Sequence, residues 1–332
     1  MTEQGLITYL RERIRPSSVP RQTVIGHPAP DTDAVVSALF EAWRRTKVGT
    51  PAAPLVQGDL PRETAWLLGS AAALVPTAAA PDPAAELVLT DHNDVAAYLN
   101  PVVAVVDHHP VAADTDLNGV EVEIRPVGAA TTLVARRLQA AGILPDSFCA
   151  RVLLGAVLLD TEGLSPHKAK EEDRETAAWL ASLCGEDPAA LFDTLRAQLL
   201  SEEDIPTLFA RDYRRYTDRD GRPLLGFAIL KVWATAPPDT ETVRALLRAD
   251  LERSGCRVCV AKTVLHHPDG SREERYLAVG EAADTVLDLV AATGGPQISR
   301  PAEDEVFLPR DSVHRGRKWY AAQLTEALTE KS

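Results

Sequence analysis

The sequence lacks any uninterrupted apolar run approaching the roughly 20 residues that a membrane-spanning helix needs. Its amino terminus, MTEQGLITYLRERIR, reads as an amphipathic helix in place of the apolar segment of a signal peptide. Neither a membrane partner nor a secretory leader is expected, and the expected location is cytoplasmic. Cysteine is scarce, with four residues in 332, and only Cys256 and Cys259 lie close together, so no disulfide framework is supported. That pair falls in the apolar strand pattern RVCVAKTVL and reads as core, not as a redox or zinc motif. Positive charge is in deficit as well. With 35 Lys and Arg against 48 Asp and Glu the net charge is −13, the wrong sign for neutralising a nucleic-acid backbone. A small anion held by a local cationic group remains compatible. Internal repeats are absent, and the alanine-rich stretch 71–85 reads as loop or helix filler.

What is present fits a two-domain α/β protein. At 332 residues and 45% hydrophobic content the chain exceeds the size of a single core. The first half alternates the strand-like runs QTVIGH, ELVLTD and VVAVVD with helical stretches at Thr32 to Arg45 and Ala129 to Ala141, the pattern of a parallel sheet flanked by helices. Helical patterns dominate from Ser147 to Leu200 and include KAKEEDRETAAWLASLC, whose charges read as a solvated helix face. The segment SEEDIP, at 201–206, breaks that pattern and serves as the linker. The expected division is therefore 1–200 and 201–332. The second, smaller α/β domain contains RPLLGFAILKVWA, a helix over Asp239 to Arg253, CRVCVAKTVL and RYLAVG, with HHPDGS as a turn between strands.

Four acid-and-histidine clusters stand out: GHPAPDTDA at 26–34, TDHND at 90–94, VVDHHP at 105–110 and LLDTEG at 158–163. Each follows an apolar run, so its polar residues fall where an α/β sheet exposes its chemistry. In the first cluster His27, Asp31 and Asp33 are potential ligands. Asp31 and Asp33, two apart in an extended loop, would point to opposite sides and serve different ions. Asp31 also suits a helix N-cap without any metal. Asp91 and Asp107 close adjacent apolar runs, and imidazole beside carboxylate suits manganese, iron, cobalt or zinc better than calcium. Asp160 ends the apolar helix ARVLLGAVLLD, where the helix dipole disfavours a carboxylate unless positive charge is near. By contrast, the pair His266 and His267 lacks flanking acids and receives no role. Two cations about 3.5 to 4 Å apart would clamp a phosphoryl group for in-line attack by a bridging water or hydroxide. Leaving-group cations would come from Arg211 in LFARDY and from Arg315, Arg317 and Lys318 in VHRGRKWY.

These clusters resemble the four motifs of the DHH phosphoesterase superfamily, named for the tripeptide at Asp107 to His109, and within it the manganese-dependent, family II inorganic pyrophosphatases. The resemblance implies that His27 and Asp31 bind one ion, that Asp33, His108 and Asp160 bind the other, and that Asp91 bridges them. It further implies that Asp107 orients the site and His109 contacts substrate phosphate. Mn2+ is the implied metal, with Co2+ or Mg2+ as alternatives and a further Mg2+ carried by the substrate. An active site in the cleft between domains and a homodimer are also implied. Two basic positions depart from the family: Arg211 stands where pyrophosphatases carry lysine, and Gly316-Arg317-Lys318 only partly matches a Ser-Arg-Lys motif. Arginine's planar fork binds phosphate differently from a point charge, so a short-chain exopolyphosphatase is the runner-up. A nucleotide phosphodiesterase would be expected to end in Gly-Gly-Gly-His, and TGGPQ at 293–297 lacks the histidine and reads as a helix-ending turn. A non-catalytic metal-binding regulator is disfavoured because all six ligand positions are filled.

Overall fold

The computed structural model describes residues 2–14, 22–112, 115–200, 205–218, 220–233, 238–267, 271–294, 298–309, 312 and 315–330, and the chain divides into two compact units, Met1–Gln198 and Leu199–Ser332. The first unit begins with α1 (Glu3–Ile14), β1 (Gln22–Ile25), α2 (Thr32–Lys47), β2 (Ala52–Leu55) and α3 (Arg62–Leu68). There follow β3 (Leu87–Thr90), β4 (Val102–Asp107), β5 (Glu121–Ile124) and the helices α4 (Ala130–Ala140), α5 (Ser147–Asp160), α6 (Glu171–Cys184) and α7 (Pro188–Leu200).

Its five strands form one parallel sheet in the order β2-β1-β3-β4-β5. Burial on both faces explains why LVLT and VVAVVD are continuous apolar runs without alternation; all four residues of β3 are buried. The edge strand β5 reads EVEI and is half-exposed. Its Glu121 and Glu123 pair with Arg137 at 2.8 Å each, a charged fringe that discourages further strand addition. Helix α5 is apolar around most of its circumference, and Cys149, Ala150, Val152, Leu153, Leu154, Ala156, Val157 and Leu158 are all buried, as expected of a helix enclosed by others. From β1 the chain moves to β2 on one side, and β3 then lies on the other. The carboxyl ends of β1 and β3 therefore flank a topological switch point, the place where open parallel sheets hold their ligands.

The second unit contains α8 (Ile205–Arg211), β6 (Tyr213–Thr217), β7 (Pro223–Trp233), α9 (Thr240–Ser254), β8 (Val258–His266) and β9 (Arg272–Gly280), then α10 (Ala283–Gly294), β10 (Ser299–Ala302), β11 (Glu305–Leu308) and α11 (Arg317–Glu330). Its sheet runs β10-β11-β9-β8-β7-β6, with β7 and β8 parallel and the other pairs antiparallel. Alternate residues of β8 serve two cores. Val258 and Val260 pack with Tyr276 and Tyr320, whereas Cys259 and Ala261 pack with Val243 and Leu247 of α9, the period-two division of a sheet covered on both faces.

Two readings change in detail. The solvated face expected of KAKEEDRETAAWLASLC is partly internal: α6 starts only at Glu171, and Asp173 and Thr176 are buried. Asp173 accepts from Gly128 N at 2.7 Å and Thr132 Oγ1 at 2.6 Å, so it joins α6 to the start of α4. In the expected HHPDGS turn, His266 is the last residue of β8 and is buried, while 268–270 lie outside the described residues, as do 201–204 of the linker and 295–297 of TGGPQ.

All four cysteines are free thiols. Burial, then Asp250, pushes the Cys259 thiol up to about 12, and burial raises Cys149 as well. Because a raised thiol pKa leaves almost no thiolate at pH 8, the native protein is expected to show one slowly titrating thiol, Cys184, against Ellman's reagent. The three buried thiols should appear only in denaturant; rapid native labelling of Cys149 or Cys259 would contradict this packing.

Candidate metal centre

Three of the four clusters sit at the carboxyl ends of β1, β3 and β4, and the fourth ends α5. Asp31 caps α2, accepting from Ala34 N at 3.0 Å, and Asp33 lies in the first helical turn. The extended-loop geometry expected for this pair is thus replaced by a helix start. The separation of the two carboxylates persists for a different reason, because Asp33 is directed to α4: its two oxygens accept from Ala130 N at 2.6 Å and Thr131 N at 2.8 Å. Gly26 makes the turn feasible, since a Cβ there would fall 2.6 Å from the Ala34 carbonyl oxygen.

Asp91 is the centre of the arrangement. It is 2% exposed and stands between two imidazoles, with Oδ2 3.4 Å from His27 Nε2 and Oδ1 3.1 Å from His108 Nε2. On the first side Asp31 Oδ1 lies 3.8 Å from His27 Nε2. On the second, Asp33 Oδ2 and Asp160 Oδ2 lie 3.9 and 3.7 Å from His108 Nε2. Three groups among the described residues are compact enough to surround an ion: His27–Asp31–Asp91, Asp33–His108–Asp160 and Asp91–Asp107–His108–His109. In the third, both Asp107 oxygens are already taken by hydrogen bonds, which leaves the first two as ligand groups. Asp91 has φ +62°, and the other non-glycine residues at positive φ among the described residues, Ala29, Glu162 and Leu164, fall in or directly beside the clusters. Such strain costs about 1 to 3 kcal/mol per residue and persists where the surroundings enforce it.

Neighbouring groups fix ring orientation. His108 Nδ1 donates to the Val127 carbonyl at 3.1 Å, which turns Nε2 toward the carboxylates. Asp107, fully buried, accepts from the backbone N–H groups of His108 and His109 at 2.7 and 3.1 Å, from His109 Nδ1 at 2.9 Å and from Asn93 Nδ2 at 2.6 Å. With both its oxygens engaged, Asp107 is an organiser of this loop, and it holds His109 with Nε2 on the far side of the ring. His109 is 37% exposed at its side chain.

Electrostatically the site is crowded with negative charge. Burial raises the Asp33 carboxyl well above its ordinary value, and the nearby Asp91 and Asp160 add to the effect. Burial likewise raises Asp160, with Lys168 and His108 opposing. For Asp91 burial acts upward, but the imidazoles of His108 and His27, each beside one of its oxygens, hold it well below the usual carboxylate range. Asp91 Oδ1 is buried with no hydrogen-bond donor among the described residues. An orphaned oxygen between two ligand groups of hard carboxylate and imidazole donors fits divalent cations of the manganese type.

Lys168 was missed in the sequence because it sits in a segment read as a solvated helix face. It precedes α6 and donates to the Asp160 carbonyl at 2.9 Å, with Glu162 at 3.6 Å. It therefore supplies positive charge at the α5 carboxyl terminus that the sequence pattern assigned to a metal alone. In the second unit the side chains of Arg211 and Lys318 lie outside the described residues. Arg317 is tied to Asp212, through its carboxylate and, at 2.9 Å, its carbonyl. Arg315 is exposed and lies over Trp319, 5.4 Å from its ring centroid. Burial raises the pKa of the Tyr216 hydroxyl, and the nearby guanidinium groups of Arg317 and Arg214 oppose the shift.

Comparison with known proteins agrees with these motifs. No family model matches the chain. It is 31% identical over 207 residues to a Brevibacillus brevis protein assigned as a manganese-dependent inorganic pyrophosphatase, covering 59% of this chain and 66% of that one. It is 24% identical over 237 residues to the manganese-dependent inorganic pyrophosphatase of Methanothrix thermoacetophila, covering 69% and 76%. Across the curated relatives considered, the match spans 55% to 76% of their length. A crystal structure from Methanococcus jannaschii, assigned to the family II inorganic pyrophosphatases, superposes with a TM-score of 0.71 at 21% identity, over 92% of this chain and 99% of that one. The shared fold is thereby shown.

Addition of Mn2+ is expected to raise the melting temperature, because a ligand at 100 times its dissociation constant stabilises by about 2.7 kcal/mol. Asp91→Ala should abolish the shift and His109→Ala should retain it. Calorimetric melting with and without Mn2+ checks both, and an unaltered shift in Asp91→Ala would displace the ions from this site.

Proposed function

We propose that this homologue of the manganese-dependent inorganic pyrophosphatases hydrolyses inorganic pyrophosphate to two phosphates, with two divalent cations held by His27, Asp31, Asp33, Asp91, His108 and Asp160. The observation that carries the reading is the shared Asp91 carboxylate, one oxygen toward each ligand group. When bound, such a pair of cations polarises phosphoryl oxygens and lowers the pKa of water to make a nucleophile at neutral pH.

The chain's own residues then do the positioning. Asp107 anchors His109 through Nδ1, so Nε2 faces away from it and, in the imidazolium form, would donate to a phosphate oxygen. Asp33, bound to the amino terminus of α4, and His108, bound to Val127, fix the second ligand group to the same short segment. That rigidity matters because an error of 1 Å in placement costs about 100-fold in rate. Cations for the departing phosphate are assigned to Arg211, Arg317 and Lys318. Resemblance to the pyrophosphatases also supports a homodimer.

The test is phosphate release with Mn2+ from pyrophosphate, tripolyphosphate and long polyphosphate. Fast cleavage of pyrophosphate, lost in Asp91→Ala, is the expected result; preference for longer chains would move the reading to exopolyphosphatase, and no release from any would refute it. Lys318→Ala is expected to raise KM and lower kcat, each by tenfold or more, about 1.4 kcal/mol per tenfold. Unchanged kinetics would remove Lys318 from substrate binding.

A further inference from the structure

Gln57, Tyr98 and His92 form a hydrogen-bonded line across the carboxyl ends of three adjacent strands. Gln57 lies two residues beyond β2 and is 8% exposed. Its Nε2 donates to the Gly26 carbonyl at 3.0 Å and to Tyr98 Oη at 2.9 Å. Tyr98 Oη is 3.0 Å from His92 Nε2, and His92 Nδ1 is 2.9 Å from the Thr90 carbonyl. Gly26 immediately precedes His27, and Thr90 and His92 immediately flank Asp91.

The directions of these bonds are determined. Carbonyl oxygens only accept, so His92 Nδ1 donates to Thr90 and the Gln57 amide must present its NH2 group to Gly26. With Nδ1 carrying the hydrogen, His92 Nε2 accepts the Tyr98 hydroxyl proton, and the same hydroxyl oxygen accepts from Gln57. Each of these bonds has one consistent donor and acceptor, which gives a continuous polar network that rigidifies what it joins. What it joins are the loops that place His27 Nε2 and Asp91 Oδ2 3.4 Å apart. Neither Gln57 nor Tyr98 belongs to any of the four clusters, and the hydrogen bonds described here run to Gly26, to each other and to His92 and not to a ligand atom.

We propose that Gln57, Tyr98 and His92 are positioning residues that fix the separation of His27 and Asp91, and thereby set how tightly the cation of the His27–Asp31–Asp91 group is held. This rests on the metal centre described above but not on the reaction it performs. A ring nitrogen or carboxylate displaced by a few tenths of an ångström loses the geometry of a small, hard cation, and substitutions behind a metal ligand typically cost about 10- to 100-fold in affinity.

The test is Mn2+ titration by isothermal calorimetry, without substrate, on wild type, Tyr98→Phe, Gln57→Leu and the double variant. Tyr9→Phe is the control, since it removes the hydroxyl of a buried tyrosine elsewhere in the same unit, one directed to the Ala52 carbonyl at the opposite end of β2. Each single variant is expected to weaken the tighter or the weaker Mn2+ step by about 10- to 100-fold. The double should be no weaker than the worse single, because either change interrupts the same line, and Tyr9→Phe should bind as wild type. Melting of the metal-free proteins separates positioning from folding: the proposal requires the affinity loss in Tyr98→Phe without a matching loss in melting temperature. In turnover, excess Mn2+ should restore the rate of Tyr98→Phe. Wild-type Mn2+ affinity in both single variants would overturn the proposal, as would losses shared by Tyr9→Phe. Pyrophosphate left intact by a wild-type protein whose Mn2+ affinity still depends on Tyr98 would refute the proposed reaction and leave this inference standing.

Discussion

The arrangement of the first unit depends on one constraint: four carboxylates, Asp31, Asp33, Asp91 and Asp160, converge on a volume that must be balanced by positive charge. Protein groups supply part of that balance. His27 and His108 flank Asp91, Lys168 reaches the end of α5, and the amino terminus of α4 donates two N–H groups to Asp33. The divalent cations proposed for the site would supply the remainder. Burying charge without such compensation costs several kcal/mol per ion, so this cluster opposes folding unless positive charge accompanies it.

The sheet makes that convergence geometrically feasible. Parallel strands put all their carboxyl ends on one edge, and the change of direction at β1 and β3 opens the gap into which the first two clusters project. Around it, segments distant in sequence are locked by short polar bridges. Asp173 on α6 holds Gly128 and Thr132, Val127 then holds His108, and Asp107 holds His109 while being held by Asn93. A Cβ at Gly128 would fall 2.6 Å from Thr161 Cγ2 and 2.8 Å from Asp173 Oδ2, so glycine is needed there for close approach. The supporting residues have ordinary identities, and their contribution lies in fixing angles.

In the second unit, buried polar contacts organise the segment that carries the basic residues. Lys262 pairs with Glu274 at 2.7 Å and donates to the Arg315 carbonyl at 2.8 Å. Arg317 bonds to Asp212, beside α8. Two stretches about a hundred residues apart, LFARDY and HRGRKWY, thus meet within one unit, which the sequence could suggest only through their shared basic character.

The sequence by itself determined the fold class and the set of candidate ligands. Buried parallel strands must be continuous apolar runs, and residues closing such runs must lie at the sheet's chemical edge; His27, Asp91, Asp107 and His108 were legible for that reason, and Asp160 from the cost of a carboxylate at the end of a buried helix. Local pattern fails where a contact joins distant segments. Asp33 reads as half of an extended pair, yet a helix start turns it toward α4; Lys168 and Asp173 read as solvated charges, yet they reach Asp160 and Gly128. Gln57 and Tyr98 carry no motif at all. Periodicity reports which face a residue occupies, since that is set by its own backbone, whereas the partner of a polar side chain is set by which loops the tertiary packing brings within 3 Å, a typical hydrogen-bond distance.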